Sequence, residues 1–344
     1  MRFTHPRRVL VVALAGATVA VGLAGCSSGG PAPVSITLYN GQHPQTTTAL
    51  VQAFEKSTGI VVNVRSDDED VLANQVVQEG ARSPADVIYT ENSPALEYLQ
   101  EHHLLAPVDR ATLAAVPARY DSPRGDWVGV TARVSVLIYN TDLLKADQLP
   151  TSVMQLADPR WRGKLALAAG ETDFQPIITS IIRARGHAAA LAWLQAVKAN
   201  AGSHVYPDNE TITAMVNKGQ AAIGIINHYY WYRERYDVGA AHMHSKIAFF
   251  APRDPGYVLD VSGAAVLASS HHRAAAERFV AFLVSHQGQQ IIAHSQSWEY
   301  PLGSGVSAPT GLPPFAGLRP APLSVADLGD GSTAIALLQK VQLL

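Results

Sequence analysis

Three segments of this chain place oxygen or nitrogen donors where an apolar strand gives way to a polar stretch. In Tyr39-Asn40-Gly41-Gln42-His43-Pro44, His43 falls between a strand and a helix. Glu91 ends a short apolar run within residues 84–92, and the neighbours Tyr229 and Tyr230 follow another run within residues 225–236. Adjacent side chains point to opposite faces of a strand and diverge by about 100° in a helix. The two phenols can therefore converge only where the strand breaks into the next element, which is where the sequence puts them.

Together these donors suit a hard trivalent cation. Phenolate is a hard anionic ligand, but its ordinary pKa of about 10 means that only a strong Lewis acid holds it deprotonated at neutral pH. Two phenolates and one carboxylate balance the charge of Fe3+, a neutral imidazole adds a fourth ligand, and an octahedral ion keeps two positions for water or a small anion. Copper(I) and structural zinc prefer sulfur or His-rich tetrahedra, and calcium and magnesium prefer carboxylates and carbonyls. Taken singly, each donor has a plainer reading. A histidine after a strand can be solvated, a glutamate there can cap a helix, and Tyr-Tyr-Trp-Tyr can be core or a sugar-stacking platform. The pairs His102-His103 and His271-His272 and the couple His242/His244 sit in polar contexts and read as solvated.

The elements that must hold the donors alternate. Strands are predicted at residues 35–39, 60–64 and 86–89, with helices at 44–58, 71–79 and 95–102 between and after them. A long β-branched stretch, residues 127–139, is long enough to pass from one lobe to another. A second alternation begins at residue 165, with helices at 174–185, 188–199 and 211–218 and strands at 221–226, 246–250 and 263–267. Helices at 274–285, 288–294 and 332–341 complete the pattern. Such an order signals an α/β fold with mostly parallel sheets flanked by helices, whose ligands sit beyond the carboxyl ends of strands.

Composition sets the class. The chain has 344 residues, enough for about two domains. Its 47% hydrophobic and 16% charged content excludes a disordered chain, a collagen and a coiled coil. With 26 Lys+Arg against 28 Asp+Glu it lacks the basic excess of a nucleic-acid binder. Arg2, Arg7 and Arg8 precede an apolar run that ends in Leu23-Ala24-Gly25-Cys26, a lipobox-like address for export and lipid attachment at Cys26, the only cysteine. Residues 1–25 are read as the signal peptide and residues 26–34 as a lipidated tether. The mature chain then carries 23 basic and 28 acidic residues, a net charge of −5. Its expected place is the outer face of the cytoplasmic membrane or the periplasm.

The ordered set YNGQHP, PADVIYTEN, IINHYYWY, SGAAVL (residues 262–267) and EYPL (residues 299–302) resembles the periplasmic ferric-ion-binding proteins, the bacterial transferrins of iron ABC importers. The similarity runs colinearly from Ser35 to the last helix and includes DPRWRGK at residues 158–164. It implies Fe3+ as ligand, held by His43, Glu91, Tyr229 and Tyr230. It also implies a type II-like periplasmic-binding-protein fold, two α/β lobes joined by a two-strand hinge. Lobe 1 is expected at 35–134 plus 258–305 and lobe 2 at 135–257 plus 306–344. The implied partners are an ABC permease and its cytoplasmic ATPase, served by a monomer.

One stretch departs from the family pattern. Asn92, Asn209 and Asn227 match positions that bind a synergistic anion such as carbonate or phosphate, but the small-residue loop is replaced by Glu171, Thr172 and Asp173. Carboxylates there repel an anion. The plain expectation is that Thr172 and Asp173 cap the next helix; the sharper one is that water or Asp173 completes the coordination sphere. His228, usually Asn in the family, has no role that the sequence reveals. Other readings are a binding lipoprotein for an organic solute or oxyanion with an aromatic wall at Tyr229–Tyr236, a presenter of ligand to a membrane sensor, and a secreted iron metalloenzyme. No HExxH-type or nucleophile-elbow motif supports the last, and the chain is read as a binding protein, not an enzyme.

Overall fold

A computed structural model describes residues 34–344; the leader, Cys26 and the tether up to residue 33 lie outside the described residues. The first half holds β1 (Ser35–Asn40), α1 (Pro44–Thr58), β2 (Val61–Ser66), α2 (Glu69–Glu79), β3 (Val87–Thr90), α3 (Ser93–Glu101), α4 (Arg110–Leu113) and β4 (Val128–Asn140). The second continues with β5 (Leu165–Ala166), α5 (Gln175–Arg185), α6 (His187–Ala201), α7 (Asn209–Asn217), β6 (Ile223–Asn227), α8 (His228–Val238) and β7 (Ser245–Ala248). Next come β8 (Leu259–Val266), α9 (Arg273–Val284), α10 (His286–His294), β9 (Tyr300–Pro301) and α11 (Ser332–Lys340). No helix among the described residues is long and apolar enough to cross a membrane.

Local chemistry accounts for the elements that carry the site. Helix α1 starts with Pro44 in its first turn, where a missing N–H is harmless. It buries Thr46, Thr47, Leu50, Val51 and Phe54 on one face and stops at Gly59, whose φ of 70° suits glycine. The Asn40-Gly41 step is more than a turn. A Cβ on Gly41 would lie 2.6 Å from Cβ of Glu69, so only glycine lets the start of α2 approach.

Strand order is β2-β1-β3-β8-β4-β6-β5, with β7 and β9 also paired to β4. The expected mostly parallel sheets are in fact mixed. β1 runs parallel to β2 and β3, and β5 to β6, but β8 is antiparallel to β3 and β4, and β4 is antiparallel to β6, β7 and β9. The cause is the pair of long strands that return through the sheet: β4 and β8 run against their neighbours instead of being delivered by right-handed crossovers. Every residue of β4 is buried, because helices or neighbouring strands cover it throughout. Its first part, through Val134, pairs with β8; from Ser135 onward it pairs with β6. The strand therefore changes sheets between residues 134 and 135.

Candidate metal centre

The predicted donors meet at strand ends. His43 is the residue just before α1, Glu91 follows β3 directly, and Tyr229 and Tyr230 lie in the first turn of α8, immediately after β6. His43 Nε2 lies 3.0 Å from Glu91 Oε1, and the Tyr229 hydroxyl donates to the same oxygen. The two phenol rings have centroids 4.2 Å apart, and that of His43 is 5.2 Å from Tyr229 and 6.4 Å from Tyr230. The abrupt strand-to-helix step is what lets neighbouring tyrosines face one point. A cavity of about 550 Å3 opens onto His43 and Glu91 and is also lined by Asp67, Asp70 and Asp208, acidic side chains whose field draws cations in.

Asp173 corrects the capping expectation. The residue preceding its short helical turn is Glu171, and neither Thr172 nor Asp173 caps α5. Instead Asp173 is buried and turned inward. Its Oδ1 accepts from Asn92 Nδ2 at 3.0 Å, its Oδ2 accepts from Asn209 Nδ2 at 3.0 Å, and the Tyr229 hydroxyl is 3.4 Å from Oδ2. Thr172 Oγ1 accepts from the same Asn92 amide at 3.2 Å. The reason is packing: α7 and the β3–α3 junction bring amide donors to the carboxylate, and a buried acid needs them more than a helix end needs a cap. Asn227 sits just before α8 and shares a small void with Asp173 and Asn209.

Three residues of the site escaped the sequence reading. Arg133, on β4, is fully buried and pairs with the equally buried Glu299. It also donates to Asn92 Oδ1 at 3.2 Å, lies 3.9 Å from Glu91 Oε1, and stands 5.4 Å from the centre of the Tyr229 ring. A lone arginine inside an apolar run was the available signal, because a buried charge needs a partner. Glu69 accepts from the backbone N–H groups of Glu91 at 2.6 Å and Asn92 at 2.8 Å. Nothing in the sequence marks it.

The charges are unevenly settled. Burial pushes the Glu91 carboxyl up, but His43, Arg133 and the Tyr229 hydroxyl outweigh it and hold Glu91 well below the usual carboxylate range. Burial and the nearby Asp173 and Glu91 carboxylates push both tyrosines well above the ordinary phenol value. Asp173 is raised by burial and by Glu91, Glu69 to about 8 by the same causes, and Glu171 to about 9 by burial, Asp173 and Glu91. So many acids raised around one point mark a place short of positive charge.

The aromatic wall does not form. Residues 229–236 wind around α8: Tyr232 stacks on Trp298 with centroids 5.5 Å apart, Trp231 Nε1 donates to the Ser245 carbonyl, and Tyr236 is exposed. Helical spacing scatters the rings that a strand would have lined up on its two faces. Among the described residues, no three His, Cys, Asp or Glu are grouped to hold a metal, so a metal set here depends on the phenols.

Two sheets linked through β4, with polar side chains from both sides converging on one cavity, define a two-lobed solute-binding protein. Residues 82–314 match the family described as bacterial extracellular solute-binding protein. The chain is 39% identical over 295 residues to the Fe(3+)-binding periplasmic protein of Serratia marcescens, covering 86% of this chain and 87% of that one. It is 36% identical over 315 residues to the major ferric iron-binding protein of Neisseria meningitidis, covering 90% and 93%. Its fold is similar to the crystal structure of iron-bound HitA from Pseudomonas aeruginosa, with a TM-score of 0.86 and 42% identity over 90% of this chain and 99% of that one. The chain belongs to the bacterial extracellular solute-binding family, on its ferric-iron-binding branch. The two-lobe α/β fold implied by the motifs is thus borne out.

Proposed function

We propose that this protein binds Fe3+ between its lobes through His43, Glu91, Tyr229 and Tyr230, and hands it to an ABC permease driven by a cytoplasmic ATPase. The observation that carries the proposal is the junction of β6 and α8, where two buried phenols lie side by side and the Tyr229 hydroxyl donates to Glu91, itself 3.0 Å from His43. Asp173 supplies a further oxygen in place of an outside anion, since the amides of Asn92 and Asn209 already serve its carboxylate. The role is binding and delivery rather than catalysis. The lobes divide at 134/135 and at 257/258; the change of partner along β4, from β8 to β6, supports the first of these boundaries. Cys26 carries the lipid that holds the protein, as a monomer, on the outer face of the membrane.

Stripped protein dialysed against limiting ferric citrate, then analysed for bound metal with and without phosphate, tests this reading. About one ferric ion per chain in both buffers supports it, because the protein supplies the whole charge-balancing set. Binding that appears only with phosphate overturns the role of Asp173, and no binding in either buffer overturns the ferric reading.

A further inference from the structure

His228 stands beside the tyrosine pair and is fully buried, its ring edge-on to that of Tyr229 with centroids 5.9 Å apart. It meets the crossing strand. One edge of β4 faces β9, whose pairing ends at Ala132 opposite Tyr300; on the far side of the sheet change, β6 takes over from Ser135 opposite Asn227. The Val134 N–H falls in the gap between them. A buried backbone N–H without a partner is costly. His228 Nδ1 fills that gap, accepting from Val134 N at 3.3 Å, while the ring stacks on Tyr300 with centroids 4.9 Å apart and an interplanar angle of 27°. The preceding residue on the strand, Arg133, reaches the donors themselves through Glu91, Asn92 and the Tyr229 ring.

We infer that His228 is a positioning residue, which fixes the first turn of α8, and with it the two phenols, to the point where the crossing strand passes between lobes. The contact requires an imidazole with its proton on Nε2 and a free lone pair on Nδ1. Through it, any change in the strand at residue 134 is passed to Tyr229 and Tyr230 by one residue of backbone. The inference rests on the ferric reading for its effect on metal, but the contact itself is independent of metal.

The test uses two variants and one measurement on the unaltered protein. His228→Phe keeps the ring on Tyr300 and removes the acceptor; His228→Asn places an amide oxygen near the Nδ1 position. With iron loaded, His228→Phe is expected to release it to a competing chelator about tenfold faster, as changes behind metal ligands do, with a shifted phenolate-to-iron absorption band. His228→Asn is expected to restore both. A purely structural role would lower the melting temperature of His228→Phe and leave its release rate and band unchanged, and that result overturns the inference. Should His228→Phe fail to fold, nitrogen NMR of the metal-free wild type decides. A proton on Nε2 and slow exchange of the Val134 amide support the contact, and a proton on Nδ1 overturns it. A wild type without any absorption band fails the ferric reading instead, and leaves this NMR result standing.

Discussion

The two sides of the site are prepared differently. On the first, His43 and Glu91 come from strand ends, and Glu91 is kept ionised by His43, the buried Arg133 and the Tyr229 hydroxyl. On the second, Tyr229 and Tyr230 sit in the first turn of a helix and are kept protonated by burial beside Asp173 and Glu91. One side thus offers charge in advance, and the other yields it only to a cation strong enough to displace phenolic protons. If the four side chains bind Fe3+ as proposed, the contrast makes selectivity a property of the second side. A divalent ion can be attracted by the acidic cavity, but it gains too little from phenols to expel their protons.

The largest consequence concerns the phenols. Tyr229→Phe or Tyr230→Phe is expected to weaken ferric binding by more than the roughly 10–100-fold carried by groups behind metal ligands, and isothermal competition with a chelator measures it. Glu91→Gln is expected to lose less and to keep the visible band, since both phenolates remain. Proton release comes next. Both phenols begin protonated, so each ferric ion bound should expel about two protons, and affinity should fall about a hundredfold for each pH unit of acidification. Titration in weakly buffered solution counts those protons; none released would mean the phenols are not ligands. Asp173→Asn is expected to lower affinity roughly tenfold in phosphate-free buffer and to recover it when phosphate is added, while the wild type ignores phosphate.

The smallest effect separates His228 from the donors. Burial holds its imidazole down at about 3, against an ordinary value of 6.5. Below pH 6.5 the unfolded chain takes up a proton that the folded chain excludes, so stability is lost as pH falls from 6.5 towards 3. The slope is at most about 1.4 kcal/mol per pH unit for one group. His228→Asn lacks this contribution, so its melting temperature should fall less steeply over that range. Equal slopes would show that the imidazole is already protonated in the fold.

The sequence makes legible what repeats along the chain and hides what depends on the far side of a fold. The strands at β1, β3 and β4 and the helix α1 announce themselves through runs and spacing, and the four proposed donors do lie at the ends of such runs. Helix α8 does not, because His-Tyr-Tyr-Trp-Tyr has no apolar stripe of helical period; its helix is held by packing on β4 and by Trp298 stacking on Tyr232. Asp173 reads as a cap from neighbours in sequence, and only Asn92 and Asn209, brought from elsewhere, reveal it as a buried acceptor. The direction of β8 is likewise invisible, since a parallel and an antiparallel central strand share the same apolar composition.

The most direct measurement is an optical titration of the stripped, tag-free soluble domain with a ferric chelate, run beside Tyr229→Phe and Tyr230→Phe. The expected result is a visible phenolate-to-iron band that saturates at about one ion per chain and is lost or shifted in both variants. A wild-type protein that takes up ferric ion without such a band, or that shows no uptake at all, would contradict it.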